Sequence, residues 1–155
     1  EKLYAVYQSL LGAVKNYTPE EINMTKKNGR LHISLGQNLL FGNGEENVSW
    51  DGKTALREIS DVLTKNRDLD ISVVGHTNSN GIASRNWDLS VIRATAVVKV
   101  LSSYGVAPES ITASGRGFYA PVASNVTASG KTENARTEIV LSPNLDELYR
   151  MIDKQ

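Results

Sequence analysis

Two adjoining runs of sequence decide the fold: Gly75-His76-Thr77-Asn78-Ser79-Asn80-Gly81, and then Asn86-Trp87-Asp88-Leu89-Ser90-Val91-Ile92-Arg93-Ala94. The first run is typical of a buried strand that ends in a turn rich in amides and hydroxyls, and the second of a helix start. Arg93 lies about two helical turns after Asn86, so both side chains fall on one helix face. A strand-to-helix turn with exposed donors, backed by a guanidinium, favours binding of a small anionic group. The sequence here predicts a binding site and no catalytic one.

A core strand and a long helix are expected on either side of this turn. Residues 70–75 are rich in β-branched side chains, which favour a buried strand. The helix is predicted from about Trp87 to Tyr104, and Gly105 ends it. The apolar residues expected to face the core are Leu89, Ile92, Ala96, Val100 and Leu101.

A β-hairpin is predicted near the start of the chain. Two runs that alternate apolar and polar residues, 21–25 and 31–35, flank the pair Asn28-Gly29, which is a strong hairpin signal. His32 falls on the polar side of its strand. We therefore expect His32 to be solvated and not to act as a ligand.

A second helix is predicted between the hairpin and the core strand. The short apolar run 39–41 is followed by a loop over residues 42–48, and Ser49 can cap a helix that reaches about Thr64. The residues expected to face inward are Leu56, Ile59, Val62 and Leu63.

The last part of the chain is predicted to hold two more strands and a terminal helix. The strands are residues 110–114 and 136–141, joined by a long loop over residues 115–133 that is rich in Gly, Ala, Ser and Asn. Ser142 is expected to cap the terminal helix, with Pro143 in its first position.

The order of these elements predicts the fold class. After the first strand of the hairpin the order is βαβαββ, which indicates an α+β two-layer sandwich with two helices on one face of a mixed sheet. An N-terminal helix, the hairpin strand and a C-terminal helix are added to it. We divide the chain into an N-terminal helix (residues 1–19), the sandwich (20–142) and a C-terminal helix (143–155).

The first residues carry a heptad-like apolar seam. A helix docked on the domain and the end of a longer helical stalk both explain it, because two heptads are too short for an independent coiled coil. The chain starts without Met, so we expect it to be cut from a longer protein whose missing N-terminal region makes any membrane attachment. The residues of the seam are Leu3, Tyr7, Leu10, Val14 and Tyr17.

Composition excludes several classes of function. Lys+Arg and Asp+Glu both number 17, which gives nucleic-acid binding no electrostatic support. The chain has no cysteine, and its two histidines lie far apart in sequence, so no metal site and no cofactor is expected. His76 has Asp88 and Ser90 nearby in sequence, but no strained nucleophile turn accompanies them. We expect His76 to be structural, bonded to neighbouring backbone, and the protein not to be an enzyme.

A series of spaced motifs runs through residues 29–141, and it resembles the OmpA C-terminal-like family. The Asn-Trp-Asp-Leu-Ser version of the helix motif is similar to MotB-like members of that family. The motifs that carry the resemblance are Gly75-His76-Thr77-Asn78, Asn86-Trp87-Asp88-Leu89-Ser90-x-x-Arg93-Ala94, Ile111-Thr112-Ala113-Ser114-Gly115-Arg116-Gly117 and Asn134-Ala135-Arg136.

The resemblance implies non-catalytic binding of peptidoglycan through the diaminopimelate of its stem peptide. Diaminopimelate carries a carboxylate and an ammonium on one carbon, so its site needs a guanidinium and an acceptor. The family's arginine corresponds to Arg93, and its aspartate after Gly-His-Thr corresponds to Asn78. Trp87 is expected to pack on the loop rather than to cover ligand, and Arg136 to face either the groove or the outer surface. The other implied ligand-binding residues are Thr77, Asn86, Leu89, Phe41 and Arg136.

Asn78 departs from the family pattern and leaves three interpretations open. A neutral amide loses charge assistance to an ammonium, which costs roughly 1–2 kcal/mol or about tenfold in affinity. The domain either tolerates this loss, or is a scaffold or protein-interaction module without peptidoglycan affinity, or fits a stem peptide with an amidated, less charged group. The resemblance also implies a periplasmic domain, attached to the inner or outer membrane in the full protein, and a homodimer as one arrangement.

Overall fold

The structure is a computed structural model that describes residues 2–44 and 46–154, apart from the side chain at position 147. The strands are β1 (Ile22–Lys27), β2 (Arg30–Gly36), β3 (Leu69–His76), β4 (Ile111–Gly115) and β5 (Arg136–Pro143). The helices are α1 (Lys2–Val14), α2 (Gln37–Phe41), α3 (Trp50–Leu63), α4 (Ala83–Ser103), α5 (Ala128–Asn134) and α6 (Asp146–Asp153). Among the described residues, no helix is both long and apolar enough to cross a membrane.

The strands form one mixed sheet in the order β1-β2-β5-β3-β4. Only the β3–β4 pair is parallel, and the other neighbours are antiparallel. Inward residues of β2, β3 and β5 share one apolar core with α1, α3 and α4. The predicted α+β sandwich is therefore confirmed, with α1 added to the layer of helices that covers one face of the sheet.

The hairpin and the helix α3 form where the sequence predicts them. Asn28 and Gly29 adopt positive φ angles of 55° and 74°, the geometry that a tight two-residue hairpin turn requires. Ser49 Oγ accepts from the backbone N–H of Gly52 at 3.0 Å and caps α3. Leu56, Ile59 and Leu63 are buried, and Val62 is half-buried.

The buried face predicted for α4 is wrong. Ile92 is 37% exposed, and Leu89, Ala96 and Val100 are only half-buried, whereas Leu101 is buried as expected. The helix also starts one turn earlier than predicted, at Ala83. The apolar pattern did not predict the buried face because several small and polar side chains of α4 face the sheet. The buried residues of α4 are Asn86, Ser90, Arg93, Ala94, Val97 and Leu101.

Two predictions for the last third of the chain are also wrong. The expected long loop contains α5, whose N-terminus is capped by Thr127 Oγ1 accepting from the backbone N–H of Gly130 at 3.0 Å. Ser142 and Pro143 belong to β5, and Asn144 Oδ1 instead accepts from the backbone N–H of Asp146 at the start of α6. β5 extends through Pro143 because Ser142 pairs with Asp70 of β3 and Pro143 pairs with Leu69.

The N-terminal seam packs against the domain. Leu3, Leu10 and Val14 are buried in the common core, with Val6 between them, and Tyr7 and Tyr17 are half-buried. Within this chain, the seam that the sequence predicts thus serves as a docking face for α1. The division at residues 19 and 142 remains a proposal.

Candidate functional site

The turn after β3 is held by one backbone hydrogen bond and by one bond to the side chain of Asn78. The backbone N–H of Thr77 donates to Gly117 C=O at 2.9 Å, which ties the turn to the segment after β4. Asn78 Oδ1 accepts from the backbone N–H of Asn80 at 3.0 Å, a short side-chain turn that Asn forms readily. The side chain of Asn78 is thereby fixed, half-buried, at the end of the strand.

Asn86 joins this turn to α4. Its Nδ2 donates to Asn80 C=O at 2.8 Å and to Ile82 C=O at 3.1 Å, and the residue is buried. The bond to Asn80 C=O ties the turn to α4, and Ile82 C=O also accepts from the backbone N–H of Asn86 at 3.1 Å. Asn86 therefore positions the turn, and its donor groups are used within the protein.

The end of β3 and the helix α4 approach each other closely beside this turn. A Cβ atom on Gly75 would lie 2.0 Å from Ser90 C=O, so only glycine allows this contact. Ser90 Oγ donates to Trp87 C=O at 2.9 Å and accepts from the backbone N–H of Gly117 at 3.0 Å. The helix thus rests directly on the strand end and on the segment that follows β4.

Arg93 lies on the same buried face of α4 as Asn86, as the seven-residue spacing predicts. The residue is only 6% exposed. Its Nη1 donates to Gln37 Oε1 at 3.1 Å, and its guanidinium carbon lies 5.4 Å from the centre of the Phe41 ring. Both partners belong to α2, so this short helix orients the guanidinium.

Gln37 is the site residue that sequence reasoning missed. It stands four residues before Phe41, so the two share one face of α2 and meet the same guanidinium. Treating residues 39–41 as a short apolar run rather than as a helix concealed this spacing. Leu89, by contrast, is half-buried on α4.

Two buried polar atoms at the end of β3 have no hydrogen-bond partner in the described structure, Thr77 Oγ1 and His76 Nδ1. A buried hydroxyl without a partner is costly and uncommon, and such atoms are often satisfied by a ligand or by water. Thr77 immediately precedes Asn78. Its hydroxyl is therefore a candidate contact for a bound molecule.

Arg136 faces the opposite surface of the sheet from α4. Its Nε donates to Glu138 Oε2 at 2.8 Å, and its two Nη atoms donate to Asn134 C=O and Ala120 C=O at 3.1 and 3.2 Å. Arg136 and Glu138 line a broad, open depression of about 1580 Å³ on that surface. The contacts of Arg136 are therefore made there, and they fasten the segment before α5 to the sheet.

The same surface carries both histidines around Glu138. His32 Nδ1 lies 2.9 Å from Glu138 Oε1, and His76 Nε2 lies 3.8 Å from Glu138 Oε2. His32 is thus half-buried and paired rather than solvated, contrary to the sequence expectation. Burial alone would raise the pKa of Glu138. The hydrogen bond from His32 and the charge of Arg136 outweigh this effect and hold the pKa of Glu138 below its usual value.

His76 is buried at the end of β3, but its Nδ1 is not bonded to neighbouring backbone as predicted. Burial, reinforced by the charge of Arg136, lowers its pKa to about 4, so the ring is neutral near pH 7. Its Nδ1 makes no hydrogen bond to neighbouring backbone. Ser90 Oγ is engaged with Trp87 and Gly117, and this arrangement offers no activated nucleophile.

Comparison with known proteins identifies the family. The OmpA family profile matches residues 40–135, which span β3, α4, β4 and the turn described here. The chain belongs to the OmpA family. The resemblance seen in the sequence motifs is thereby confirmed.

Two curated relatives show the range of proteins that share this domain. The chain is 32% identical over 122 residues to the probable lipoprotein YiaD of Escherichia coli, covering 79% of this chain and 56% of YiaD. It is 33% identical over 112 residues to the peptidoglycan-binding protein ArfA of Mycobacterium tuberculosis, covering 72% of this chain and 34% of ArfA. The chain thus spans about half or less of the length of these relatives.

Two solved structures share the architecture, including its MotB-like form. The periplasmic domain of Helicobacter pylori MotB is 26% identical, with a TM-score of 0.72 over 84% of each chain. The cell wall anchor of the T6SS from Pseudomonas aeruginosa is 27% identical, with a TM-score of 0.77 over 89% of this chain and 96% of the anchor.

Proposed function

We propose that this domain anchors an envelope protein to the cell wall by binding peptidoglycan without catalysis, through the diaminopimelate of the stem peptide. The observation that carries the proposal is Arg93, a buried guanidinium oriented by Gln37 and Phe41. The same helix face holds Asn86, which fixes the turn containing Asn78. Relatives support the ligand class, since ArfA is named as peptidoglycan-binding and the Pseudomonas structure as a cell wall anchor.

The carboxylate of the ligand has a partner of suitable chemistry in this site. Arg93 binds the carboxylate of diaminopimelate, because a guanidinium matches the two carboxylate oxygens with parallel donors. The hydroxyl of Thr77, buried without a partner, adds a further polar contact. Asn86 acts through the turn and not on the ligand, whereas Leu89 and Phe41 supply apolar surface beside Arg93. We assign Arg136 no direct ligand contact, because its donors are used on the other surface of the sheet.

Asn78 accepts from the ammonium of the ligand. Its Oδ1 already accepts from the backbone N–H of Asn80, but a carbonyl oxygen has a second lone pair that the ammonium can use. Because this acceptor is a neutral amide oxygen, the ligand binds more weakly by roughly 1–2 kcal/mol than it would with a carboxylate at this position. An aspartate at this position keeps the same turn, because its oxygen accepts from Asn80 equally well.

Calorimetric titration with a diaminopimelate-containing muropeptide tests the roles of Asn78 and Arg93. We expect weak binding to the wild type, about tenfold tighter binding to Asn78→Asp, and no binding to Arg93→Ala. Asn80→Asp places the same charge two residues away and is the control for general electrostatic attraction. Arg57→Ala, at an exposed position of α3, is the control for loss of a guanidinium.

Absence of binding even by Asn78→Asp would contradict the proposal and favour a scaffold or protein-interaction module. The neutral side chain of Asn78 is the one observation on the side of that alternative. Tighter binding of an amidated stem peptide than of the free acid would instead show that Asn78 has changed the ligand preference.

We also propose that the domain works in the periplasm, as part of a longer membrane-attached protein. The name of YiaD as a lipoprotein and the description of the Helicobacter structure as a periplasmic domain support this placement. Whether the attachment is to the inner or the outer membrane depends on the rest of the protein. A homodimer remains a prediction, which sedimentation equilibrium of the full-length protein tests.

A further inference from the structure

An aromatic surface lies beside the candidate site, formed by Trp87, Phe118 and Tyr119. The rings of Trp87 and Tyr119 are stacked, with centres 5.3 Å apart and planes 25° from parallel. Phe118 packs against Tyr119 with centres 4.5 Å apart. Trp87 nevertheless remains 42% exposed and Tyr119 52% exposed. The stack therefore presents neighbouring aromatic rings to solvent, and contiguous exposed apolar patches mark interaction sites.

The aromatic surface is held in place by the backbone of Gly117. The N–H of Gly117 donates to Ser90 Oγ, and its C=O accepts from Thr77 N–H. Gly117 has a φ of 57°, and a Cβ atom there would lie 3.4 Å from the Trp87 ring. The segment is thus fastened to α4 and to the end of β3, so the rings need no rearrangement before they bind a partner.

The spacing of Trp87 and Arg93 along α4 suits a ligand that spans both places. The two residues are separated by a rise of about 9 Å and by about 120° around the helix axis. In peptidoglycan the stem peptide joins a glycan strand a few residues from the diaminopimelate, which is on the order of 10 Å at 3.3–3.6 Å per residue. A ligand bound at Arg93 can therefore place a sugar over the aromatic surface.

We infer that the aromatic surface binds a sugar ring of the peptidoglycan glycan strand, as a second subsite beside the one for the stem peptide. This inference rests on the proposed function and names the part of the ligand that the peptide site leaves out. Aromatic faces are electron-rich, and the C–H bonds on one face of a pyranose ring are weakly positive, so the two stack.

The test compares two probes, a disaccharide muropeptide and the same stem peptide without its sugars. We expect the muropeptide to bind about three- to tenfold tighter, the range that one aromatic stacking contact supplies. Tyr119→Ala and Trp87→Ala should abolish this difference without changing affinity for the free peptide, whereas Trp87→Phe should keep part of it. Tyr149→Ala, a similarly exposed tyrosine on α6, should leave the difference intact.

Fluorescence provides a direct readout of contact. The chain has two tryptophans, so Trp50→Phe leaves Trp87 as the single emitter. We expect its emission to change with the muropeptide and not with the free peptide. Melting temperatures of the variants separate loss of the subsite from loss of the fold.

The outcomes distinguish this inference from the proposed function. Equal affinity for both probes, or a difference that survives Trp87→Ala, would overturn the subsite. Binding of the muropeptide that depends on Trp87 but not on Arg93 would support the subsite and contradict the peptide site. Binding of neither probe, also by Asn78→Asp, would overturn both.

Discussion

We expect removal of the Asn134 side chain to have the largest destabilising effect on the segment before α5. It is the last residue of α5 and is completely buried. Its Oδ1 accepts from the backbone N–H groups of Val122 and Ala123 at 2.8 and 2.9 Å. Its Nδ2 donates to Ala123 C=O and to Asn125 Oδ1, both at 2.9 Å. One side chain thus replaces the backbone partners that this irregular segment lacks.

The expected cost follows from these four hydrogen bonds. Each contributes about 0.5–1.5 kcal/mol net, and a buried group left without a partner costs about 1–3 kcal/mol. The side chain of Val122 is exposed, so water can reach part of the segment and reduce the penalty. We therefore expect Asn134→Ala to lower the free energy of unfolding by about 2–4 kcal/mol.

Urea unfolding at pH 7 measures this effect. The midpoint should fall while the dependence on urea concentration stays unchanged, since the folded architecture is kept. Asn134→Asp retains the acceptor but places a carboxylate against Ala123 C=O and Asn125 Oδ1, so it should cost a similar amount. Asn125→Ala removes a single hydrogen bond and should cost less than about 1.5 kcal/mol.

A cost below about 0.5 kcal/mol for Asn134→Ala would refute this reasoning. It would mean that the segment satisfies its backbone groups with water. Equal costs for Asn134→Ala and Asn125→Ala would show that only the bond between the two side chains matters.

Two further predictions concern the end of β3. Gly75→Ala should destabilise the fold by about 1–3 kcal/mol or more, because its Cβ meets Ser90 C=O at 2.0 Å; thermal melting against Gly12→Ala, where nothing lies within 4 Å, checks this, and an equal response would contradict it. Burial lowers the pKa of His76 to about 4, so the unfolded chain takes up a proton below about pH 6.5 while the folded chain does not. As the pH falls from about 6.5 to about 4, the free energy of unfolding should therefore decrease, by at most about 1.4 kcal/mol per pH unit. His76→Gln should flatten this slope, and an unchanged slope would exclude His76 as its cause.

Prediction from the sequence succeeded where a feature depends on neighbouring residues and failed where it depends on tertiary contacts. Asn28-Gly29, Ser49 and the spacing from Asn86 to Arg93 are local signals, because turn geometry, capping and helical repeat depend on a few neighbouring residues. The inward face of α4 was predicted wrongly because it depends on what the helix packs against. Ser90 and Arg93 lie inward since Gly75 lets the backbones meet and α2 supplies partners for the guanidinium.

The amino-acid sequence by itself determined the α+β class, the order of most elements and the family, because periodicity, turn residues and spaced motifs are properties of the chain alone. Only the tertiary structure decided which side chains meet. It paired Arg93 with Gln37 and Phe41, turned Arg136 towards Glu138 on the other surface, and stacked Tyr119 on Trp87. Contacts between residues distant in sequence depend on how the helices lie on the sheet, and no local pattern in the chain encodes that geometry.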